Sequence, residues 1–306
     1  MTMNEYLETW CLDLYLNQVL ELAARLPVPW VYRFIAATGG LFRSRDVYAS
    51  SFSPGILKSA ENSVRRTGMY GSIESSAIIR KYLRFETRYM LENIWLRDQV
   101  DRKIVAAFHP DDVARLRQFV SRRNYILALP HTASNTFIGL AATLAPVVVL
   151  GSGNPLTLEL SHPTPAQKTI LRLYTGWLKY QEFIFVSEGD AFARCRQALE
   201  AGKSLIITPD TPFHSERNIC IDFLGRRTGM AAGVAALAER CRIPILAVVP
   251  WAAGCHQPYR LETRIIEVSD IASRMRKLFA FFEPFIEQYP ACWQGWMYWD
   301  LMDHEE

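Results

Sequence analysis

His131 is the residue in this sequence best suited to acid–base chemistry. It follows the apolar run Tyr125–Leu129, which has the length of a strand, and Pro130, which is expected to end that strand. An imidazole between a strand and a helix projects into a crevice, and it exchanges protons near neutral pH. The sequence therefore predicts His131 as a general base, although a lone histidine also fits a purely structural role.

A carboxylate occupies the equivalent place after another predicted strand. Asp210 follows the run Ser204–Thr208 and Pro209. It fits two roles, that of a turn residue and that of a group that orients a histidine or binds substrate. His214 lies in the same loop and is predicted to line the same pocket. Because ligands bind outside the carboxyl ends of strands in open α/β sheets, we expect both loops at one site.

Several common catalytic motifs do not occur in the sequence. There is no GxSxG element of the α/β-hydrolases, and there is neither GxGxxG nor GxxxxGK[ST] for a nucleotide. The six cysteines show no CxxC pair and no cysteine–histidine spacing typical of a metal site. We therefore expect free thiols, no bound metal and no dinucleotide cofactor.

The elements that must position these residues are predicted from hydrophobic periodicity. Helices are predicted at residues 1–26, 30–42, 56–100, 111–123, 137–144, 164–179, 191–201 and 230–241. Strands are predicted at residues 125–129, 147–150, 182–186, 204–208 and 245–249. Alternating helices and apolar strands are typical of an α/β fold, with a mixed sheet covered by helices. We predict a helical N-terminal region, 1–123, packed on an α/β body, 124–306, as one structural unit.

Composition narrows the class of protein. Half of the 306 residues are hydrophobic and the mean hydropathy is +0.00, which excludes a disordered chain. The net charge of +3 is too small to predict nucleic-acid binding, but it suits an anionic membrane or an acidic carrier protein. Prolines divide the longest uncharged stretch, Asn124–Leu158, so it is not expected to span a membrane. The aromatic residues between Phe279 and Trp299 fit either a membrane interface or core packing.

Several short motifs also follow one another in a characteristic order. They are His131 after a strand, Asn154-Pro155-Leu156, Gly202-Lys203 before a strand, Pro209-Asp210, Ile221-Asp222-Phe223-Leu224-Gly225, Ile243-Pro244-Ile245 and Pro290-Ala291-Cys292-Trp293. From about Leu26 to Trp296 this order resembles the bacterial lipid A biosynthesis acyltransferases of the lysophospholipid acyltransferase superfamily. The resemblance implies a glycerolipid acyltransferase-like fold. It also implies transfer of a fatty acyl group from acyl carrier protein or coenzyme A to a hydroxyl or amine acceptor, without a permanently bound cofactor.

The resemblance assigns His131 as the base that deprotonates the acceptor, but one part of the motif differs. In the family's motif four residues separate the histidine from an Asp or Glu, and this chain has Thr136 at that acidic position. Asp210 or another carboxylate could support His131 instead, or an amine acceptor could need less of the base. Alternatively, the protein is a catalytically degenerate lipid- or carrier-binding protein. A thioesterase-like hydrolase, in which water replaces the acceptor, is a further alternative.

The remaining site residues follow from the same resemblance. Ser134, Asn135 and Thr136 are expected to line the reaction centre, and Arg226 and Arg227 to meet an anionic substrate or carrier. Arg172 would supply a cation, because the family's arginine before the Asn-Pro pair is replaced by Gly151-Ser152-Gly153. These departures predict an acceptor other than the phosphorylated disaccharide of lipid A. The expected location is cytoplasmic and peripheral on the inner membrane.

Overall fold

The structure is a computed structural model that describes residues 3–39, 56–151, 165–176, 178, 182–211, 218–267 and 269–304. Its helices are α1 Met3–Leu14, α2 Leu20–Ala23, α3 Val28–Thr38, α4 Ile56–Arg66, α5 Ser72–Arg97, α6 Asp101–Ala106, α7 Pro110–Val120, α8 Ser134–Leu144, α9 Pro165–Gly176, α10 Ala191–Glu200, α11 Gly233–Cys241 and α12 Ile271–Gln288. Its strands are β1 Ile126–Ala128, β2 Val147–Gly151, β3 Glu182–Phe185, β4 Ser204–Ile207, β5 Asn218–Phe223, β6 Arg226–Ala231, β7 Ile245–Trp251, β8 Arg260–Ile266 and β9 Asp303–His304.

A six-stranded sheet in the order β3-β2-β4-β1-β7-β8 forms the centre of the fold. Its first five strands are parallel, and β8 pairs antiparallel with β7 at one edge. In β1, Ile126 pairs with Leu205 of β4 on one side and with Ile245 of β7 on the other. The loops that follow β4, β1 and β7 therefore leave the sheet side by side. This arrangement confirms the predicted α/β fold with a mixed sheet.

Helices cover both faces of the sheet, which explains why its strands are apolar almost throughout. Along β1 and just beyond it, Leu127 and Leu129 join a core beneath the N-terminal helices and α5–α8. Ile126 and Ala128 point to the opposite core, beneath α10, α11 and α12. All four side chains are fully buried. Successive residues of the strand therefore alternate between the two cores.

The N-terminal helices pack against α5 and share the core that contains Leu127. The predicted helix 1–26 is confirmed as α1 and α2, joined by a π-helical turn at Tyr15–Val19 and ending before Pro27. The indole N–H of Trp95 on α5 donates to the carbonyl oxygen of Ala24 at 3.0 Å. No helix among the described residues combines the length and apolar character needed to cross a bilayer. The proposed boundary at residue 123 stays a prediction.

Some predicted elements were wrong in their extent. The helix predicted over 56–100 is two helices, α4 and α5, separated near Gly68, whose φ of +71° interrupts helical geometry. Met230 lies on β6 rather than at the start of a helix, and α11 begins at Gly233. Strands β5 and β6 form a hairpin through a two-residue turn, Leu224-Gly225, with positive φ at both residues. Their mixed polar sequences, like that of β8, lack the apolar runs that identify the central strands.

Candidate active site

His131 and Asp210 occupy equivalent positions after two adjacent parallel strands. Ala128, the last residue of β1, pairs with Ile207, the last residue of β4. Each candidate residue lies three positions further along, and each is preceded by a proline that cannot donate to a sheet. Strand pairing therefore carries the two side chains to the same point on the edge of the sheet.

The two side chains form a hydrogen-bonded pair. Nδ1 of His131 lies 2.8 Å from Oδ1 of Asp210, and the backbone N–H of His131 donates to Oδ2 at 2.8 Å. The indole N–H of Trp293 also donates to Oδ2, at 2.7 Å. Asp210 is fully buried, whereas the His131 side chain is 22% exposed. With Nδ1 donating to the carboxylate, Nε2 is the ring nitrogen free to accept a proton.

The environment of Asp210 keeps it ionised. Burial alone would raise the pKa of this carboxyl group. The opposing effects are the charge of a protonated His131 ring and the hydrogen bonds from His131 and Trp293, and they leave the pKa of Asp210 below its ordinary value. A buried carboxylate is thus available to orient His131 and to stabilise its protonated form.

The C-terminal segment completes the site. Thr132 and Trp293 form an antiparallel bridge, and the backbone N–H of Gln294 donates to the carbonyl oxygen of His131 at 3.0 Å. The ring of Tyr298 packs edge-to-face on the His131 ring, with 5.4 Å between centroids. Trp293, Trp296 and Trp299 are fully buried. Of the two interpretations of the C-terminal aromatic residues, core packing applies to these three tryptophans.

Sequence reasoning did not predict the contact between Trp293 and Asp210. Trp293 lies in the Pro-x-x-Trp motif that supports the family resemblance, and this motif was the available signal. The motif does not indicate which group the indole contacts. Trp293 meets Asp210 because the segment after α12 runs back to the edge of the sheet, which is a feature of the tertiary structure.

Thr136, at the position where the resemblance predicts an acid, makes its hydrogen bond to a residue other than His131. Its hydroxyl donates to Oε2 of Glu92 at 2.5 Å. Glu92 in turn accepts from Arg88 at 2.7 Å and from the Tyr32 hydroxyl at 2.7 Å, all within the buried interior. Beside it, the side-chain amide of Asn135 donates to Oδ1 of Asn93 on α5 at 3.1 Å. A catalytic role for Thr136 and substrate binding by Asn135 stay predictions.

Three buried hydroxyl groups lie next to His131 without a hydrogen-bond partner in the described part of the chain. They belong to Thr132, Ser134 and Tyr298. Between the first two, Ala133 has a left-handed backbone with φ of +49°, which is strained for a residue with a side chain. An unpaired buried hydroxyl costs about 1–3 kcal/mol. These groups are therefore suited to hydrogen bonding with polar atoms of a substrate.

An apolar cavity of about 300 Å³ opens beside Asp210. It lies at the carboxyl ends of β2 and β4, between α10 and α11. Its apolar walls include Leu150, Phe192, Cys195, Ile207, Val234 and Leu237. Thr208, Pro209 and Thr211, the sequence neighbours of Asp210, line the same cavity. We call it the apolar cavity below.

The other predicted binding residues lie at several places. Arg172 on α9 is exposed and donates to Oδ1 of Asn17 at 2.7 Å, which ties it to the N-terminal helices. Arg226 and Arg227 begin β6, where Arg227 lies opposite Asp222. Contact with substrate stays a prediction for all three. His214 lies outside the described residues.

No metal site is formed by the residues that the structure describes, because they contain no group of three His, Cys, Asp or Glu side chains placed to hold an ion. The six cysteines are free thiols.

Comparison with known protein families gives a match over most of the chain. The sequence profile of the family described as "Bacterial lipid A biosynthesis acyltransferase" matches residues 2–298. This match includes His131, Asp210 and Trp293. No curated protein sequence shows significant similarity to the chain. Because the family profile extends over nearly the whole chain, this protein belongs to the bacterial lipid A biosynthesis acyltransferase family, a family of lipid-biosynthesis transferases.

Proposed function

We propose that this protein transfers a fatty acyl group from an acyl thioester to a hydroxyl or amine acceptor, with His131 as general base. The donor would be acyl carrier protein or coenzyme A carrying the acyl group. The observation that carries the proposal is the 2.8 Å contact between Nδ1 of His131 and Oδ1 of Asp210, in a chain of an acyltransferase family. In this pair Asp210 supplies the carboxylate that the resemblance places at position 136, where this chain has Thr136.

The reaction then proceeds by two proton transfers at Nε2 of His131. The hydroxyl oxygen or amine nitrogen of the acceptor attacks the thioester carbonyl carbon, and Nε2 takes up the proton that this oxygen or nitrogen loses. Asp210 stabilises the imidazolium that results. When the tetrahedral intermediate collapses, the carbon–sulfur bond breaks and the imidazolium returns the proton to the departing thiolate. The enzyme ends in its starting state, with an ester or amide product and a free thiol.

The unpaired hydroxyls of Thr132 and Ser134 are suited to stabilise the oxyanion of that intermediate. Both residues are more than nine-tenths buried, and they lie one and three positions after His131 in the chain. A donor aimed at an oxyanion typically accounts for about 10²-fold in kcat. A comparable loss in Ser134→Ala, with KM unchanged, would support this role. A wild-type kcat in that variant would exclude it.

The apolar cavity is the proposed site of the acyl chain. Its walls are predominantly apolar, and it adjoins Asp210 through Pro209 and Thr211. A chain in this position would extend toward the edge of the sheet where Asp210 contacts His131. Burial of methylene groups would supply binding energy of about 0.8 kcal/mol each.

We also propose that the N-terminal helices contact a lipid bilayer. This region contains six of the large hydrophobic side chains that are exposed among the described residues. They are Leu7, Trp10, Leu14, Leu22, Leu26 and Trp30. Spacings of three and four residues place the first three on one face of α1. Exposed Arg25 and Arg33 lie beside Leu22–Trp30, so the surface combines apolar groups with cations that favour anionic lipids. Location at the cytoplasmic face of the inner membrane stays a prediction.

An assay with a radiolabelled acyl carrier thioester, with and without candidate acceptors, tests the proposed reaction. Transfer that requires an acceptor and is lost in His131→Ala would support it. Full transferase activity in His131→Ala would contradict the mechanism. Release of free acid without an acceptor would identify a thioesterase-like hydrolase, and binding without turnover a degenerate protein. An acceptor series with hydroxyl and amine compounds, including the phosphorylated disaccharide of lipid A, would identify the acceptor class.

A further inference from the structure

A second cavity, of about 270 Å³, lies at the carboxyl end of β7. Residues of α5, of the loop 252–256 after β7 and of the segment 288–292, which begins with the last residue of α12, form most of its walls. The basic side chains among them are Lys81, Arg84 and His256, and none of the described lining residues is an aspartate or a glutamate. We call it the basic cavity. Its lining favours an anionic ligand.

One basic donor in this cavity lacks a hydrogen-bond partner within the described part of the chain. Nε of Arg84 is buried and has no hydrogen-bond acceptor there. Arg88, one turn further along α5, provides a contrast, because it donates to Glu92, to the carbonyl of Gln257 and to the Tyr32 hydroxyl. A buried guanidinium donor without an acceptor is costly, and a bound anion would satisfy it.

We propose that the basic cavity binds a phosphate group of a substrate. A guanidinium presents parallel N–H donors that match the oxygens of phosphate, and a lysine ammonium adds a second cation. Phe85, Ile78 and Tyr289 provide apolar walls beside these cations, so a phosphate attached to an organic arm fits better than a free ion. This inference rests on the proposed acyl transfer for the identity of the substrate, but not for the anion site itself.

One segment of the chain links the wall of the basic cavity to the His131–Asp210 pair. Pro290 and Cys292 line the cavity. The next two residues reach the catalytic pair, since Trp293 donates to Asp210 and the backbone of Gln294 donates to His131. The strand order gives the same relationship, because β7 lies next to β1, which leads to His131.

The two cavities lie on opposite sides of this pair along the edge of the sheet. The apolar cavity is at the ends of β2 and β4, and the basic cavity is at the end of β7. A carrier-bound acyl thioester has the same order of groups, with the acyl chain, then the reacting carbonyl, then a pantetheine arm that ends in a phosphodiester. A phosphorylated acceptor is the other possible source of the same chemistry, since it would also have its anion near the reacting carbonyl.

Titration calorimetry on the full chain tests the proposal and separates the two sources. The probes are 4′-phosphopantetheine, pantetheine without phosphate, and glycerol 3-phosphate. Wild type, Arg84→Gln and Lys81→Gln are compared with Arg80→Gln, a matched control at an exposed arginine on the same helix that does not line the cavity. Loss of a charge-assisted hydrogen bond predicts affinity about tenfold weaker in Arg84→Gln. Circular dichroism verifies that each variant is folded.

Tighter binding of 4′-phosphopantetheine than of the other probes, lost in Arg84→Gln and retained in Arg80→Gln, would support the site and assign the donor. Tighter binding of glycerol 3-phosphate with the same mutational pattern would support the site and assign the acceptor. The proposal would be overturned if neither phosphorylated probe bound more tightly than pantetheine, or if all variants bound each phosphorylated probe with equal affinity. The same titration in His131→Ala separates this result from the proposed reaction, because the anion site should remain when the base is removed.

Discussion

The Thr136 hydroxyl donates a hydrogen bond to Oε2 of Glu92, and the two oxygens lie 2.5 Å apart in the interior between α8 and α5. Glu92 already accepts from Arg88 and Tyr32. The position where the resemblance predicts Asp or Glu is therefore occupied by a donor that satisfies a buried carboxylate. Asp210, from the neighbouring strand, is the carboxylate beside His131.

An acid placed at position 136 should lower the stability of the protein. In Thr136→Asp a second carboxylate would lie against Glu92 in a buried setting, and repulsion between like charges would cost at least about 2 kcal/mol. We expect a lower free energy of unfolding in urea, with no gain in kcat. Thr136→Val is the control, because it removes the hydroxyl without adding charge. A Thr136→Asp variant with wild-type stability and higher kcat would show that position 136 supports His131.

Removing the charge of Asp210 should reduce activity much more than binding. In Asp210→Asn the imidazolium loses its buried counter-charge and the preferred tautomer of His131 is no longer fixed, which predicts a fall in kcat of about 10³-fold or more. KM for the acyl thioester should change little. Asp111→Asn is a suitable control, since the Asp111 side chain is 87% exposed. A kcat within a few fold of wild type in Asp210→Asn would mean that another group supports His131.

Filling the apolar cavity should change the preferred acyl chain length. Ala236 lines this cavity and is only partly buried, so Ala236→Phe adds volume to the cavity without overpacking a closed core. We expect kcat/KM for the longest accepted chain to fall by about tenfold, the effect of some two lost methylene contacts, while shorter chains keep their activity. Ala193→Phe, at an exposed position of α10, controls for the added ring. A uniform loss for all chain lengths would argue against this cavity as the acyl site.

Glu86 should make stability depend on pH. Burial raises the pKa of this carboxyl from 4.5 to about 7, against hydrogen bonds from Tyr82 and Gln294 that lower it. The folded state therefore binds a proton that the unfolded state releases above pH 4.5, so stability falls as pH rises from 4.5 to about 7 and then levels off. The loss is roughly 3 kcal/mol at most.

Urea titrations at pH 5 and pH 8 check this dependence. Glu86→Gln should be more stable than wild type at pH 8, and the difference should shrink at pH 5. Glu287→Gln, at an exposed glutamate, should follow the wild type at both values. If wild type and Glu86→Gln lost the same stability between the two pH values, Glu86 would not be the titrating group.

Charged residues on the N-terminal apolar surface should weaken membrane binding. Trp10 is 56% exposed and Trp30 is 64% exposed, and we expect both indoles to enter the bilayer interface. Trp10→Glu combined with Trp30→Glu should lower cosedimentation with vesicles that contain anionic lipid by more than about tenfold. Ile73→Glu is the control, because Ile73 is 81% exposed at the start of α5, outside this surface. Equal binding by the double variant and the control would exclude the proposed surface.

The sequence by itself determined the central strands and the two reactive loops. Tyr125–Leu129 and Ser204–Thr208 are apolar because both faces of these strands are buried, and each run ends at a proline. These are local signals, since periodicity and the missing proline N–H act within a few residues. They were sufficient to predict the α/β fold and to single out His131 and Asp210 as candidates.

The tertiary structure decided how these residues meet. The 2.8 Å contact between His131 and Asp210 requires β4 to pair with β1, although β2 and β3 lie between them in the chain. Trp293 reaches Asp210 only because the segment after α12 returns to the edge of the sheet. Lys81 and His256 line one cavity although 175 residues separate them in the sequence. The order of the strands and the path of the segment after α12 depend on the burial of all the apolar surfaces together. A local sequence pattern does not predict them.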